Sequence, residues 1–225
     1  MALKYFYDGM SQPSRSILLF LKCTKIPFEP CVTHVAKGHH LTPEFKAINP
    51  SGKVPAIQDD KFNLSESTAI LRYLCESRTV DDHWYPSDLQ KRTKLNEYLS
   101  WHHTNLRMGA AMYFRTTTLI PLLTGNPPRD GSKYLKIFND SMRMMEEYYL
   151  KDTPFILSDQ VSIADLMAVM EFTQLEVMGP NKPAILPSIE KWMERCQAAT
   201  DPHFSEINTV VLKVKEKFAQ MSSKL

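Results

Sequence analysis

The sequence predicts a small α/β domain followed by an all-helical one, and three features point there. In the first eighty residues, short apolar-aromatic runs alternate with segments whose apolar residues recur at helical spacing; such alternation implies a central sheet with helices on its faces. Residues 81–87, Asp81-Asp82-His83-Trp84-Tyr85-Pro86-Ser87, carry neither pattern. Beyond them the periodic segments have the helical period. The expected layout is a first domain at 1–80, a linker at 81–87 and a helical domain at 88–225.

Each element has its own cue. Residues 3–7 are apolar and aromatic, a strand, and Asp8-Gly9-Met10-Ser11-Gln12-Pro13 breaks it. Pro13 fits the first turn of a helix, where its missing N–H costs nothing, and Ile17, Phe20 and Leu21 follow on one face. Pro27 ends that helix, and Phe28 to Val35 reads as a second strand. Thr42-Pro43-Glu44 opens a short helix that stops before Asn49-Pro50-Ser51-Gly52. Two strands around Asp59-Asp60 follow, then a helix opened by Ser65-Glu66-Ser67. In the second domain Leu95, Leu99, His102 and Leu106 repeat in one long segment, and residues 132–150 form another. Ser162 and Asp165 have the spacing of a reciprocal helix cap. Further helices run from Ser188 to about Ala199 and through Val210, Val211, Val214 and Phe218.

Composition removes several classes of function. With 43% hydrophobic and 23% charged residues among 225, the chain is globular. The net charge is only +2 and the 27 basic residues are scattered, so a nucleic-acid partner is not expected. No stretch approaches the roughly 18 unbroken apolar residues of a membrane span, and the first residues lack the blocks of a signal peptide. The four cysteines, Cys23, Cys31, Cys75 and Cys196, form no CxxC. Structural zinc and a dithiol centre are therefore not expected, and the cytosol is the expected compartment.

Four clusters could carry chemistry. Ser11 before a helix reads either as a cap or as a donor to an anion held at the helix N-terminus. Gly52-Lys53-Val54-Pro55 is a turn into a strand, or a backbone edge for a peptide ligand with Lys53 holding its carboxylate. Ser65-Glu66-Ser67 is a cap, or a site where Ser67 meets a carboxylate and Glu66 an ammonium. Gly38-His39-His40-Leu41 carries adjacent histidines, too few for a metal site.

Together the clusters, in this order and spacing, resemble glutathione S-transferases, and the theta class in particular. The resembling motifs are Ser11-Gln12-Pro13-Ser14-Arg15, Lys37-Gly38-His39-His40-Leu41-Thr42-Pro43-Glu44-Phe45, Asn49-Pro50-Ser51-Gly52-Lys53-Val54-Pro55-Ala56-Ile57, Leu64-Ser65-Glu66-Ser67-Thr68-Ala69-Ile70 and Ser162-Ile163-Ala164-Asp165-Leu166. The resemblance implies a thioredoxin-like N-terminal domain that binds glutathione and a helical domain that adds an electrophile site. It implies glutathione as co-substrate, no metal, a homodimer, and conjugation of glutathione to hydrophobic electrophiles in detoxification. Carried over residue by residue, Ser11 matches the catalytic serine. His40, Lys53, Val54, Pro55, Glu66 and Ser67 match the glutathione contacts, with Pro55 as the family's cis-proline. Thr104, Arg107, Met108 and Met112 sit on the helix expected to line the electrophile pocket. Peroxidase activity at the same site, and a non-catalytic binder of hydrophobic ligands, stand as alternatives. Vertebrate theta enzymes carry a longer C-terminal extension. This sequence ends at Leu225, so a more open electrophile site is expected, and lid-dependent chemistry such as sulfatase activity is put in question.

Overall fold

The computed structural model describes residues 3–222. The sheet has four strands in the order β2-β1-β3-β4. They are β1 (Leu3–Tyr7), β2 (Phe28–Val32), β3 (Ala56–Asp59) and β4 (Phe62–Ser65). β1 and β2 run parallel, with Leu3 beside Phe28 and Tyr7 beside Val32. β3 is antiparallel to β1, with Phe6 opposite Ala56, and β4 is antiparallel to β3, with Ala56 opposite Ser65. This register decides where the site can be. The end of β1, the start of β3 and the end of β4 all lie at one edge. The segments leaving them, 8–11, 53–55 and 66–67, therefore emerge together.

The helices α1 (Gln12–Cys23), α2 (Pro43–Ile48) and α3 (Ser67–Ser77) complete the first half. After a short turn at Asp82–Trp84 come α4 (Leu89–Thr104), α5 (Leu106–Phe114), a wide turn and α6 (Ile120–Thr124). α7 (Ser132–Met144), α8 (Ile163–Leu175), α9 (Pro187–Thr200) and α10 (His203–Ser222) finish the chain. Among the described residues no helix is long and apolar enough to cross a membrane.

Two expectations need correcting. The second strand stops at Val32, not Val35, because Tyr7 and Asp8 take up the backbone beyond it. Thr33 N bonds Tyr7 O at 2.7 Å, and Val35 N bonds Asp8 Oδ2 at 2.9 Å. The 95–106 segment is two helices, broken at Asn105 (φ −118°, ψ −92°), whose side-chain amide caps Trp101 O at 2.8 Å. Within residues 81–87 one side chain is anchored to the first half. Trp84 is buried edge-on against Phe20 with ring centroids 5.5 Å apart.

α8 is the centre of the helical half, and all thirteen of its residues are buried. Its start follows the cap expected from sequence. Ser162 Oγ accepts from Ala164 N, and Asp165 Oδ2 accepts from Ser162 N. Asp165 Oδ1 also accepts from Ile156 N and Trp192 Nε1, both at 2.9 Å. α1 packs on α8, and the seam is polar. Ser16 Oγ donates to Leu166 O at 2.9 Å, and the buried Arg15 donates to Met170 O and Gln174 Oε1.

Candidate active site

Ser11 stands at the N-cap position of α1 in extended conformation (φ −80°, ψ 120°), yet its side chain makes no cap bond. One of the two usual donors is missing. A capping hydroxyl accepts from the N–H of the second or third helical residue, and the second here is Pro13, which has none. The backbone supplies the turn instead, with Ser11 N on Asp8 O and Arg15 N on Ser11 O, each at 3.0 Å. Asp8 fixes the preceding turn by accepting from Met10 N at 2.8 Å. The half-buried hydroxyl is thus uncommitted, beside a helix N-terminus that favours negative charge.

The next segment to emerge is built around Asn49, a buried residue to which the sequence pattern assigns no role. Its Nδ2 donates to Lys53 O at 2.6 Å, and its Oδ1 accepts from Ser51 N and Ser51 Oγ. Gly52 (φ 61°) completes the turn, where a Cβ would stand 3.2 Å from His40 O. The 49–53 turn therefore lies close against the His39–Leu41 turn. Lys53 is exposed, Val54 half-buried and Pro55 buried. The Val54–Pro55 bond is cis. Val54 precedes the first paired residue of β3, so it lies outside the sheet pairing.

Glu66 closes the group. It caps α3 with φ 71°, ψ 111°, in a region that costs a non-glycine residue about 1–3 kcal/mol. Its side chain is exposed and forms no ion pair among the described residues, while Ser67 is buried at the first helical position. The half-buried His40 has a buried Nδ1 without a partner.

Between the two halves lies a cleft of about 650 Å³. Ser11 and Gln12 line it from one side, and Arg107, Met108 and Met112 from α5 line it from the other. Thr104 is not part of the wall; its hydroxyl accepts from Asn105 Nδ2 at 3.1 Å. Sequence reasoning missed other wall residues, Phe114, Leu119, Val214 and Phe218 among them. The apolar spacing on α10 reads as core, and only the fold shows that part of that face meets the cleft.

The chain's own thiols are unsuited to nucleophilic work. Burial pushes Cys23 up to about 11 and Cys75 up to about 12, and Cys31 and Cys196 also move up. A thiolate at this site must come from a ligand.

Known proteins share this arrangement. A family model described as glutathione S-transferase, N-terminal domain, matches residues 11–77, and its C-terminal counterpart matches residues 129–199. Glutathione S-transferase T1 of Arabidopsis thaliana is 45% identical over 97% of this chain and 92% of its own length. The chain belongs to the glutathione S-transferase family. Within the family its likeness is to the theta class. Human glutathione S-transferase theta-1 is 35% identical over 96% of this chain and 91% of that one. A solved human theta-class transferase in complex with the glutathione conjugate of 1-menaphthyl sulfate superposes with a TM-score of 0.89 at 34% identity, covering 99% of this chain and 92% of that one. The chain spans 38% of another matched relative, glutathione S-transferase T3 of Arabidopsis thaliana. The sheet of four strands with its helices is the family's thioredoxin-like N-terminal domain, and the helices after it are the family's C-terminal domain.

Proposed function

We propose that the chain is a glutathione transferase, joining the sulfur of glutathione to hydrophobic electrophiles in detoxification. The observation that carries this reading is the uncommitted Ser11 hydroxyl at the N-terminus of α1, on the wall of the cleft. A thiol near pKa 8.5 is mostly protonated at neutral pH. Lowering it by about two units takes roughly 2.7 kcal/mol, and a hydrogen bond to an ionised group supplies about 1.5–3 kcal/mol. One hydroxyl donor beside a helix N-terminus is of the right size. Ser11 then acts as donor, not as nucleophile.

The segments that emerge beside Ser11 divide the peptide between them. Val54 offers its backbone to the cysteinyl unit at the buried cis-Pro55. Lys53 and His40 take carboxylate, and Glu66 and Ser67 take the amino-acid end, with its ammonium on Glu66. Arg107, Met108 and Met112 face the electrophile; the methionines make an adaptable apolar wall. A solved human theta-2 structure in complex with glutathione supports glutathione as the co-substrate, at TM-score 0.89 and 34% identity. The reading includes a cytosolic homodimer, and sedimentation velocity at micromolar concentration should give twice the chain mass; a monomer would remove that part.

Replacing Ser11 by Ala tests the mechanism. Turnover with saturating glutathione near pH 6.5 should fall about 10- to 100-fold, the rate equivalent of that hydrogen bond. The titration of the bound thiol should rise with it. Turnover within a few-fold of wild type would rule out the donor role.

A further inference from the structure

Glu171 is wholly buried in the middle of α8 and takes partners from three other helices. Gln12 Nε2 of α1 donates to its Oε2 at 3.2 Å. Arg107 of α5 forms a short ion pair with its Oε1. His102 Nε2 of α4 stands 4.0 Å from the same oxygen and has no hydrogen-bond partner. Two of these partners belong to the cleft. Gln12 directly follows Ser11, and Gln12 and Arg107 both line the wall. A buried carboxylate costs several kcal/mol in desolvation, and a well-packed apolar residue in its place is often no worse for stability. Packing of α8 therefore does not account for it.

We propose that Glu171 is a positioning residue of the conjugation site, pinning the first turn behind Ser11 through Gln12 and cancelling the charge of Arg107 at the cleft wall. The proposal rests on the reading of Ser11 as the thiolate's donor.

The surrounding charges make the consequence specific. Glu171 faces Arg15 from α1, Tyr98 and His102 from α4, and Arg107 from α5. Arg107 in turn faces His103, and Arg15 faces Asp8. Burial pushes the His102 imidazole well down and the Tyr98 phenol well up, so both are neutral near pH 7. Burial also raises the Glu171 carboxyl, while Arg107, Arg15 and Gln12 pull it back. The working balance is one carboxylate between two guanidinium groups. Removing the carboxylate leaves Arg107 an uncancelled cation beside the bound sulfur, and a nearby cation favours the thiolate.

The test is titration of the thiolate of bound glutathione by ultraviolet difference absorbance in the intact enzyme. Glu171→Gln keeps the shape and removes the charge, and its midpoint should fall by at least about half a pH unit. Glu171→Asp keeps the charge, and its midpoint should stay with wild type even where its thermal stability drops as far. Arg107→Gln removes the cation at the cleft wall, and its midpoint should rise, opposite to that of Glu171→Gln. Arg107 is 29% exposed, so this variant decides the matter if Glu171→Gln fails to fold. An unmoved midpoint in Glu171→Gln, or in Arg107→Gln, overturns the proposal and leaves Glu171 a packing residue. Ser11→Ala raises the midpoint if the donor reading holds, whatever Glu171 does, so the two readings fail separately.

Discussion

Asn49 touches no wall of the cleft, yet the 49–53 turn depends on it. Its amide holds Lys53 O at 2.6 Å while its carbonyl oxygen gathers Ser51 N and Ser51 Oγ. Asn49→Ala loses all three bonds, each worth about 0.5–1.5 kcal/mol net. The turn would then deliver Lys53 and Val54 loosely. We expect the KM for glutathione to rise about tenfold while kcat at saturating glutathione changes by less than about threefold, measured in steady-state kinetics. A change in kcat alone would place Asn49 elsewhere in the mechanism. The turn and cap positions of Ser11, Lys53, Val54, Glu66 and Ser67 are legible in the sequence, because there residue type reports backbone demand. Asn49 reads only as the end of a helix. Its work is a side-chain bond to a carbonyl four residues on, and no spacing rule announces that. The Ser11 hydroxyl shows the reverse case. Residue type points to a cap, yet the hydroxyl makes no cap bond, and Pro13 has removed one of its two usual donors.

Elements are legible where one period rules one segment. β1, the β3–β4 hairpin, α1 and α3 follow their apolar patterns, and the Ser162–Asp165 cap of α8 is the one its spacing implies. Legibility fails where a neighbour overrides the pattern. β2 is cut short because Asp8, distant in sequence, captures Val35 N. α4 and α5 share an apolar repeat through Leu106, but Asn105 caps back onto Trp101 and redirects the chain. That break turns Arg107, Met108 and Met112 toward Ser11. Gly109 shows why α5 can lie where it does: a Cβ there would come within 2.5 Å of Phe138 N on α7. Substitution would push α5 off α7, and Arg107 and Met108 with it. The apolar stripe of α10 divides in the same way. Val211 is core, while Val214 and Phe218 line the cleft.

At the scale of the molecule, ionisable groups are concentrated where α1, α4 and α5 meet α8, and this sets the response to acid. His102 is wholly buried, and burial holds its imidazole well below 6.5, with His103 and Arg107 adding to the effect. A group lowered on folding contributes stability that is complete above its unfolded pKa and is lost as pH falls toward the folded one. Asp165 has the opposite sign. Burial pushes its carboxyl up from 3.8 to about 6, against the pull of its hydrogen bonds. Its contribution is complete below about 3.8 and lost as pH rises through about 6. Below about pH 6 the two terms therefore oppose each other. His102→Gln removes the first term and leaves the second. Each proton of difference is worth about 1.4 kcal/mol per pH unit. Relative to its own value at pH 7.5, the variant should retain more stability at pH 5 than wild type does. Urea unfolding at the two pH values measures this, and it holds even if the variant is weaker at both. Parallel losses in the two proteins would show that protonation of His102 is not what acid acts on.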